Sequence, residues 1–120
     1  MRSPLTSFLL LTLLSTTVFA QETQDVRRGQ SIPGTLASDS EHRFALSLDE
    51  NTFVFGEVDQ LTVDVVVTVL DPDGEQVRRF DSPARGPEKF TFESEAAGRY
   101  IIEVTPFEEA EGDYNYFFPN

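Results

Sequence analysis

The residues best equipped for chemistry in this sequence are carboxylates, in two closely spaced groups. One is Asp71, Asp73 and Glu75; the other is Glu108, Glu109, Glu111 and Asp113. Clustered carboxylate oxygens suit a hard cation, and calcium takes about 6–8 oxygen ligands. Each group is therefore a candidate calcium site. The first does not complete an EF-hand loop, because Gly74 comes too early and Ser82 stands where the closing glutamate belongs. Both groups also fall where the chain turns, and acidic side chains serve turns by bonding the local backbone. Solvated turn tips are thus the favoured reading of both. Asp64 is a separate case. It interrupts an apolar run, where a bare carboxylate would be costly if buried. It is expected to face solvent or to pair with Arg78 or Arg99, with a share in a cation site as the third option.

Other chemistries fail on inventory. There is no cysteine and no Gly-x-Ser-x-Gly elbow for a nucleophile. His42 is the only histidine. It lies between Glu41 and Arg43 at the start of an alternating stretch, the usual setting of a surface residue. A triad needs a histidine placed beside a serine, and a zinc site needs more histidines or cysteines than one. Carboxylates are numerous enough for paired-acid glycoside hydrolysis, but so short a chain has no cleft-forming insertions. No catalytic residue and no cofactor other than calcium is expected.

The elements that must carry these residues read as strands. From Gly29 onward, runs of Val, Phe, Thr and Ile alternate with polar residues and are broken by Gly, Pro, Asp and Asn. The expected strands are Gln30–Leu36, His42–Leu48, Thr52–Asp59, Val63–Leu70, Gln76–Phe80, Lys89–Glu93, Arg99–Thr105 and Tyr114–Phe118. Pro33-Gly34 marks the first as an edge strand or a bulge. Val63–Leu70 is apolar on both faces for most of its length, as interior strands are. Asp71-Pro72-Asp73-Gly74 is a tight turn, with proline and glycine at positions that favour it. Glu108–Asp113 reads as an acidic hairpin loop, and Asp81–Pro87 as a loop. About eight short strands at a spacing of about ten residues indicate an all-β fold, an antiparallel β-sandwich. Nothing has sustained helical periodicity, so parallel crossovers are disfavoured.

Alternation assigns Phe44, Phe53, Phe55, Phe90, Phe92 and Tyr100 to the core. Tyr114, Tyr116, Phe117 and Phe118 load both faces of the last strand. They are read either as core plus edge cover or as a docking surface for a ligand or a following domain.

The start of the chain has a different texture. Arg2, the apolar run Phe8–Leu14 and the exit Val18-Phe19-Ala20 form the three parts of a secretory signal peptide over residues 1–20. The run is too short and too interrupted by threonine and serine to span a bilayer. Residues 21–28 are polar and aperiodic, which suggests a flexible leader to a single domain over 29–120. Without a cysteine, no lipoprotein anchor forms. The formal charge is −12, and loss of the positive Arg2 with the signal takes it to −13. Such a field repels phosphate backbones and anionic lipid, so nucleic acid and membrane surfaces are poor partners. The protein is expected to be exported, to the periplasm or beyond.

The colinear order of several segments resembles a known family. The segments are Gly29–Leu36, His42–Leu46, Val63–Val67, Leu70–Gly74, Ala97–Val104 and Gly112–Tyr116. Together they look like the bacterial pre-peptidase C-terminal domain, and the resemblance covers nearly all of the chain beyond the signal peptide. It implies a jelly-roll-like sandwich of the kind attached to secreted peptidases. Members of that family are accessory modules; some resemble collagen- or polysaccharide-binding domains and some bind calcium. These 120 residues hold no peptidase domain.

The expected function is therefore that of an exported, non-catalytic accessory module with a binding or structural role. Its partners would be polysaccharide, an extracellular protein or an attached enzyme domain. The alternatives are the N-terminal module of a larger exported hydrolase, a small secreted inhibitor presenting a loop such as Asp81–Pro87, and a small enzyme using acidic residues.

Overall fold

The computed structural model describes residues 23–81 and 85–118. The expected signal peptide, part of the 81–87 loop and the last two residues lie outside the described residues. Among the described residues nine strands form two sheets: β1 (Gln24–Asp25), β2 (Ser31–Leu36), β3 (His42–Leu48), β4 (Phe53–Gln60), β5 (Val65–Leu70), β6 (Gln76–Phe80), β7 (Gly86–Glu93), β8 (Gly98–Pro106) and β9 (Gly112–Phe117). One sheet has the order β1-β3-β8-β5-β6 and the other β2-β9-β4-β7. All pairings are antiparallel except β1 with β3. No helix occurs among the described residues. The architecture is the expected all-β sandwich.

Only β5 and β6 are neighbours both in sequence and in a sheet; every other connection after β2 passes between sheets. The acidic segment expected as a hairpin loop at 108–113 is thus an arch from β8 in one sheet to β9 in the other. Sequence alternation marks strands but not partners, which is why a hairpin was the natural reading.

Alternating residues of the two inner faces interlock to form the core. Val65, Val67, Val69, Ile102 and Val104 come from one sheet, and Val54, Val58, Phe90 and Tyr116 from the other, each 1% exposed or less. Complete burial of such a side chain contributes about 1.5–3 kcal/mol. The Phe44 ring stacks across the sandwich on Tyr116, with centroids 4.4 Å apart. As expected, β2 with its Pro33-Gly34 pair is an edge strand and β5 is interior. Gln60, also buried, joins the sheets at one end: its Oε1 accepts from the Val65 amide at 2.8 Å and its Nε2 donates to the Gly86 carbonyl at 3.2 Å.

Two expectations are corrected. First, the presumed leader is in part structural. Gln24 and Asp25 pair with Phe44 and Ala45, the Val26 amide donates to the Ala45 carbonyl at 3.0 Å, and Val26 is buried in the core. Two residues bonded through their backbone leave no alternation to read. Second, β4 faces the other way. Val54, Gly56 and Val58 point inward, Phe53 is 66% exposed and Phe55 is half-buried. Val54 and Gly56 lie opposite Phe92 and Phe90 of β7. Those two rings already fill the inner space, so β4 supplies small residues to it and turns its own phenylalanines out.

Of the options for Asp64, the ion pair is not formed among the described residues, and the side chain is half-exposed. Arg99 bonds Asp25 at 3.1 Å, and the Arg78 guanidinium lies 5.7 Å from the Phe80 ring centroid. One Asp64 carboxylate oxygen is buried without a hydrogen bond. Burial, and then the negative charges of Asp81 and Glu108, raise its pKa.

Candidate functional site

The inverted β4 creates the most distinctive surface of the molecule. Phe53 opens β4 at one end of the sandwich, and Val77 of the edge strand β6 is 45% exposed. Both line an open cleft of about 740 Å³, floored by the buried Phe92 and Tyr100 and bordered by Pro72, Arg78, Ala96 and Ala97. The carboxylates of Asp71, Asp73, Glu93 and Glu95 stand around it. A groove of about 490 Å³ beside Val26, Leu46 and Phe118 contains none of the large exposed apolar side chains. Exposed apolar groups gathered in one concavity mark an interaction site better than volume does.

Local sequence explains how the cleft is held. Ser94, fully buried, binds the turn that precedes Phe53. Its hydroxyl donates to the Asp49 carbonyl at 2.5 Å and accepts from the Thr52 amide at 2.9 Å. Its backbone amide donates to the Thr52 carbonyl at 2.9 Å, and its carbonyl accepts from the Asn51 amide at 2.6 Å. Asn51 adopts φ 54°, a left-handed conformation that asparagine tolerates. The opposite wall is the 71–74 turn. Asp71 Oδ1 accepts from the amides of Asp73 and Glu75 at 3.0 and 2.9 Å, and the Gly74 amide donates to the Asp71 carbonyl at 2.9 Å. Pro72 of that turn packs on Gly98, where any side chain would collide with its ring. The Tyr100 hydroxyl donates to the Ala96 carbonyl at 2.8 Å and fixes the third wall. Rigid turns from both sheets therefore mount the exposed ring.

The residues singled out from the sequence are placed as follows. Asp71 spends one oxygen on its own turn, and Asp113 Oδ1 accepts from the Thr35 hydroxyl at 2.7 Å. Neither the Asp71, Asp73, Glu75 group nor the Glu108, Glu109, Glu111, Asp113 group converges. Among the described residues, no three His, Cys, Asp or Glu side chains are grouped so as to hold a metal ion.

Of the two readings of Tyr114, Tyr116, Phe117 and Phe118, the burial fits core on one face. Tyr114, Tyr116 and Phe118 are buried on the inner face, which leaves Phe117 alone outside, 37% exposed. His42 Nδ1 lies 2.5 Å from the Tyr114 hydroxyl, and burial lowers the histidine pKa. It is a structural partner of the core rim rather than a surface residue. The Phe53 cleft itself escaped the sequence reading. The signal that could have found it is Gly56, a gap in an aromatic-rich strand that betrays which face must admit another ring.

A second electrostatic feature lies on the outer face of β3 and β8. Arg43 Nε bonds Glu41 at 2.6 Å, and its Nη2 reaches Glu103, its cross-strand partner, at 3.3 Å. Burial and the neighbouring Glu41 carboxylate push the Glu103 pKa up to about 7, while hydrogen bonds from Glu103 and Arg43 lower that of Glu41.

No known family profile matches the chain, and neither does any curated protein. Solved structures share its fold. The chain is similar to the pre-peptidase C-terminal domain of collagenase from Bacillus anthracis, with a TM-score of 0.68 and 12% identity, over 81% of this chain and 94% of that one. It is also similar to Aeromonas hydrophila PliG, a periplasmic inhibitor of g-type lysozyme, with a TM-score of 0.62 and 12% identity, over 79% of this chain and 94% of that one. The sandwich implied by the sequence resemblance is the one observed. No helix among the described residues is long and apolar enough to cross a membrane.

Proposed function

We propose that this protein is an exported, non-catalytic β-sandwich module that binds a partner through the Phe53 cleft. The observation that carries this reading is the exposure of Phe53, 66%, on a turn locked by a fully buried serine. A rigid exposed aromatic offers large contact area at little entropic cost, the character of a binding anchor. The signal-peptide pattern of residues 1–20 supports export. So does a fold shared with a domain of a collagenase and with a periplasmic inhibitor. Polysaccharide, an extracellular protein and an attached hydrolase domain are the partner classes such a cleft can serve.

A second reading is a small secreted inhibitor. The similarity to PliG favours it, and the cleft would then meet the surface of an enzyme.

The test is a spectral titration of the isotope-labelled protein, lacking its signal peptide, with neutral oligosaccharides and with soluble cationic and anionic peptides. Shifts clustered at Phe53, Val77 and Ala96, and lost in Phe53→Ala, are expected for at least one probe. The reading fails if no probe moves those signals.

A further inference from the structure

We propose that the partner seated in this cleft is a cationic protein surface, one that inserts an apolar side chain beside Phe53 and sets lysines or arginines against the surrounding carboxylates. This rests on the cleft being the binding site. Charge complementarity selects the occupant. Asp73, Glu93 and Glu95 border the cleft, and none has an ion-pair partner among the described residues. Glu93 is the cross-strand neighbour of Phe53, so a carboxylate stands directly beside the exposed ring. Arg78 is the only cation among the described residues of the lining, and its guanidinium is directed to the Phe80 ring. The whole chain adds a field of −12. That field attracts a basic partner from a distance and repels a second copy of this chain, anionic lipid and acidic polysaccharide alike. The apolar walls supply what charge alone does not, a desolvated pocket for an anchoring side chain.

The sequence contains no tryptophan, so the fluorescence of a tryptophan probe reports its own burial. The probe is a short synthetic peptide with one tryptophan flanked by lysines. The comparison peptide has glutamates in place of the lysines, and a chitin hexasaccharide, its binding read by calorimetry, serves as the neutral ligand. The lysine peptide is expected to bind with a blue shift, and the glutamate peptide to show none. Phe53→Ala should weaken binding by about tenfold or more, as loss of an aromatic anchor does. The double variant Glu93→Gln, Glu95→Gln should also weaken it, as should raising salt from about 0.05 to about 0.5 M. Phe107→Ala, at the far end of β8, should leave it unchanged. All these positions are exposed, and thermal melts would confirm that the variants fold.

Equal binding of both peptides, or salt-independent binding, overturns the proposal. Binding of the hexasaccharide at Phe53 without binding of the lysine peptide overturns the cationic partner and leaves the cleft's role standing. Failure of every probe to depend on Phe53 overturns both.

Discussion

The Phe90 ring lies directly over Gly56, its cross-strand partner, and occupies the space a β-carbon at position 56 would need. Tyr114 covers Gly34 in the same way across β2 and β9. In both pairs a glycine, weak in a strand by itself, is what admits an aromatic ring to the core. Gly56→Ala introduces no unusual backbone angle, so its effect isolates the collision. It is expected to destabilise the fold by about 1–3 kcal/mol, measured by urea unfolding. Phe90→Leu in the same chain should recover part of that loss, because the two residues share one space and their effects cannot add. Full additivity would refute the relationship.

The two buried tyrosines of β9 should respond oppositely to loss of their hydroxyls. The Tyr116 hydroxyl is buried without a hydrogen-bond partner among the described residues, whereas that of Tyr114 meets His42. An unsatisfied buried polar group costs about 1–3 kcal/mol. Tyr116→Phe should therefore raise the melting temperature. Tyr114→Phe should lower stability by about 1 kcal/mol, and His42→Ala should add little further hydrogen-bond loss to it. A lower melting temperature for Tyr116→Phe would mean that the hydroxyl has a partner such as a buried water.

Calcium should leave the melting temperature unchanged. A ligand present at about a hundredfold its Kd stabilises by about 2.7 kcal/mol, so a millimolar melt detects any useful site. Asp71 holds its own turn and Asp113 holds Thr35, which leaves both acidic groups short of converging oxygens. A rise that Asp71→Asn abolishes would reinstate the turn as a cation site.

Strand positions were legible in the sequence because each long strand buries one face against the core, and Phe44, Leu46, Ile102 and Val104 alternate accordingly. Partners were not legible. The arch at Glu108–Asp113 looks like a hairpin because turn residues are the same whether the next strand joins the same sheet or the opposite one. The face of β4 was misread for a physical reason as well. Phe53 and Phe55 carry the larger apolar volume, but the inner space opposite was already taken by Phe90 and Phe92. The site follows that error, since an aromatic counted into the core is not counted onto the surface. Similarly, Tyr114, Tyr116 and Phe118 share one parity and one buried face, and Phe117 alone stands outside.

The Glu41–Arg43–Glu103 group should make stability fall as the medium turns from acid to neutral. Glu103 has a folded pKa of about 7 against an ordinary 4.5. Between these values the folded state holds a proton that the unfolded chain has released, so stability declines as pH rises and levels off above 7. Below 4.5 both states are protonated and Glu103 exacts no penalty. Glu41 has the opposite sign: its lowered pKa favours the fold above the ordinary value and loses that benefit on further acidification. His42, with a pKa lowered by burial, loses stability as pH falls through its ordinary 6.5. Both effects are shared by wild type and Glu103→Gln, which keeps the shape of the side chain and its hydrogen bond to Glu41 but cannot ionise. The difference between the two proteins therefore isolates Glu103. Thermal melts should nearly coincide at pH 4.5 and separate progressively up to pH 7, with Glu103→Gln the more stable above it. Parallel curves across that window would show that Glu103 ionises as freely in the fold as in the unfolded chain, and that Arg43 neutralises it completely.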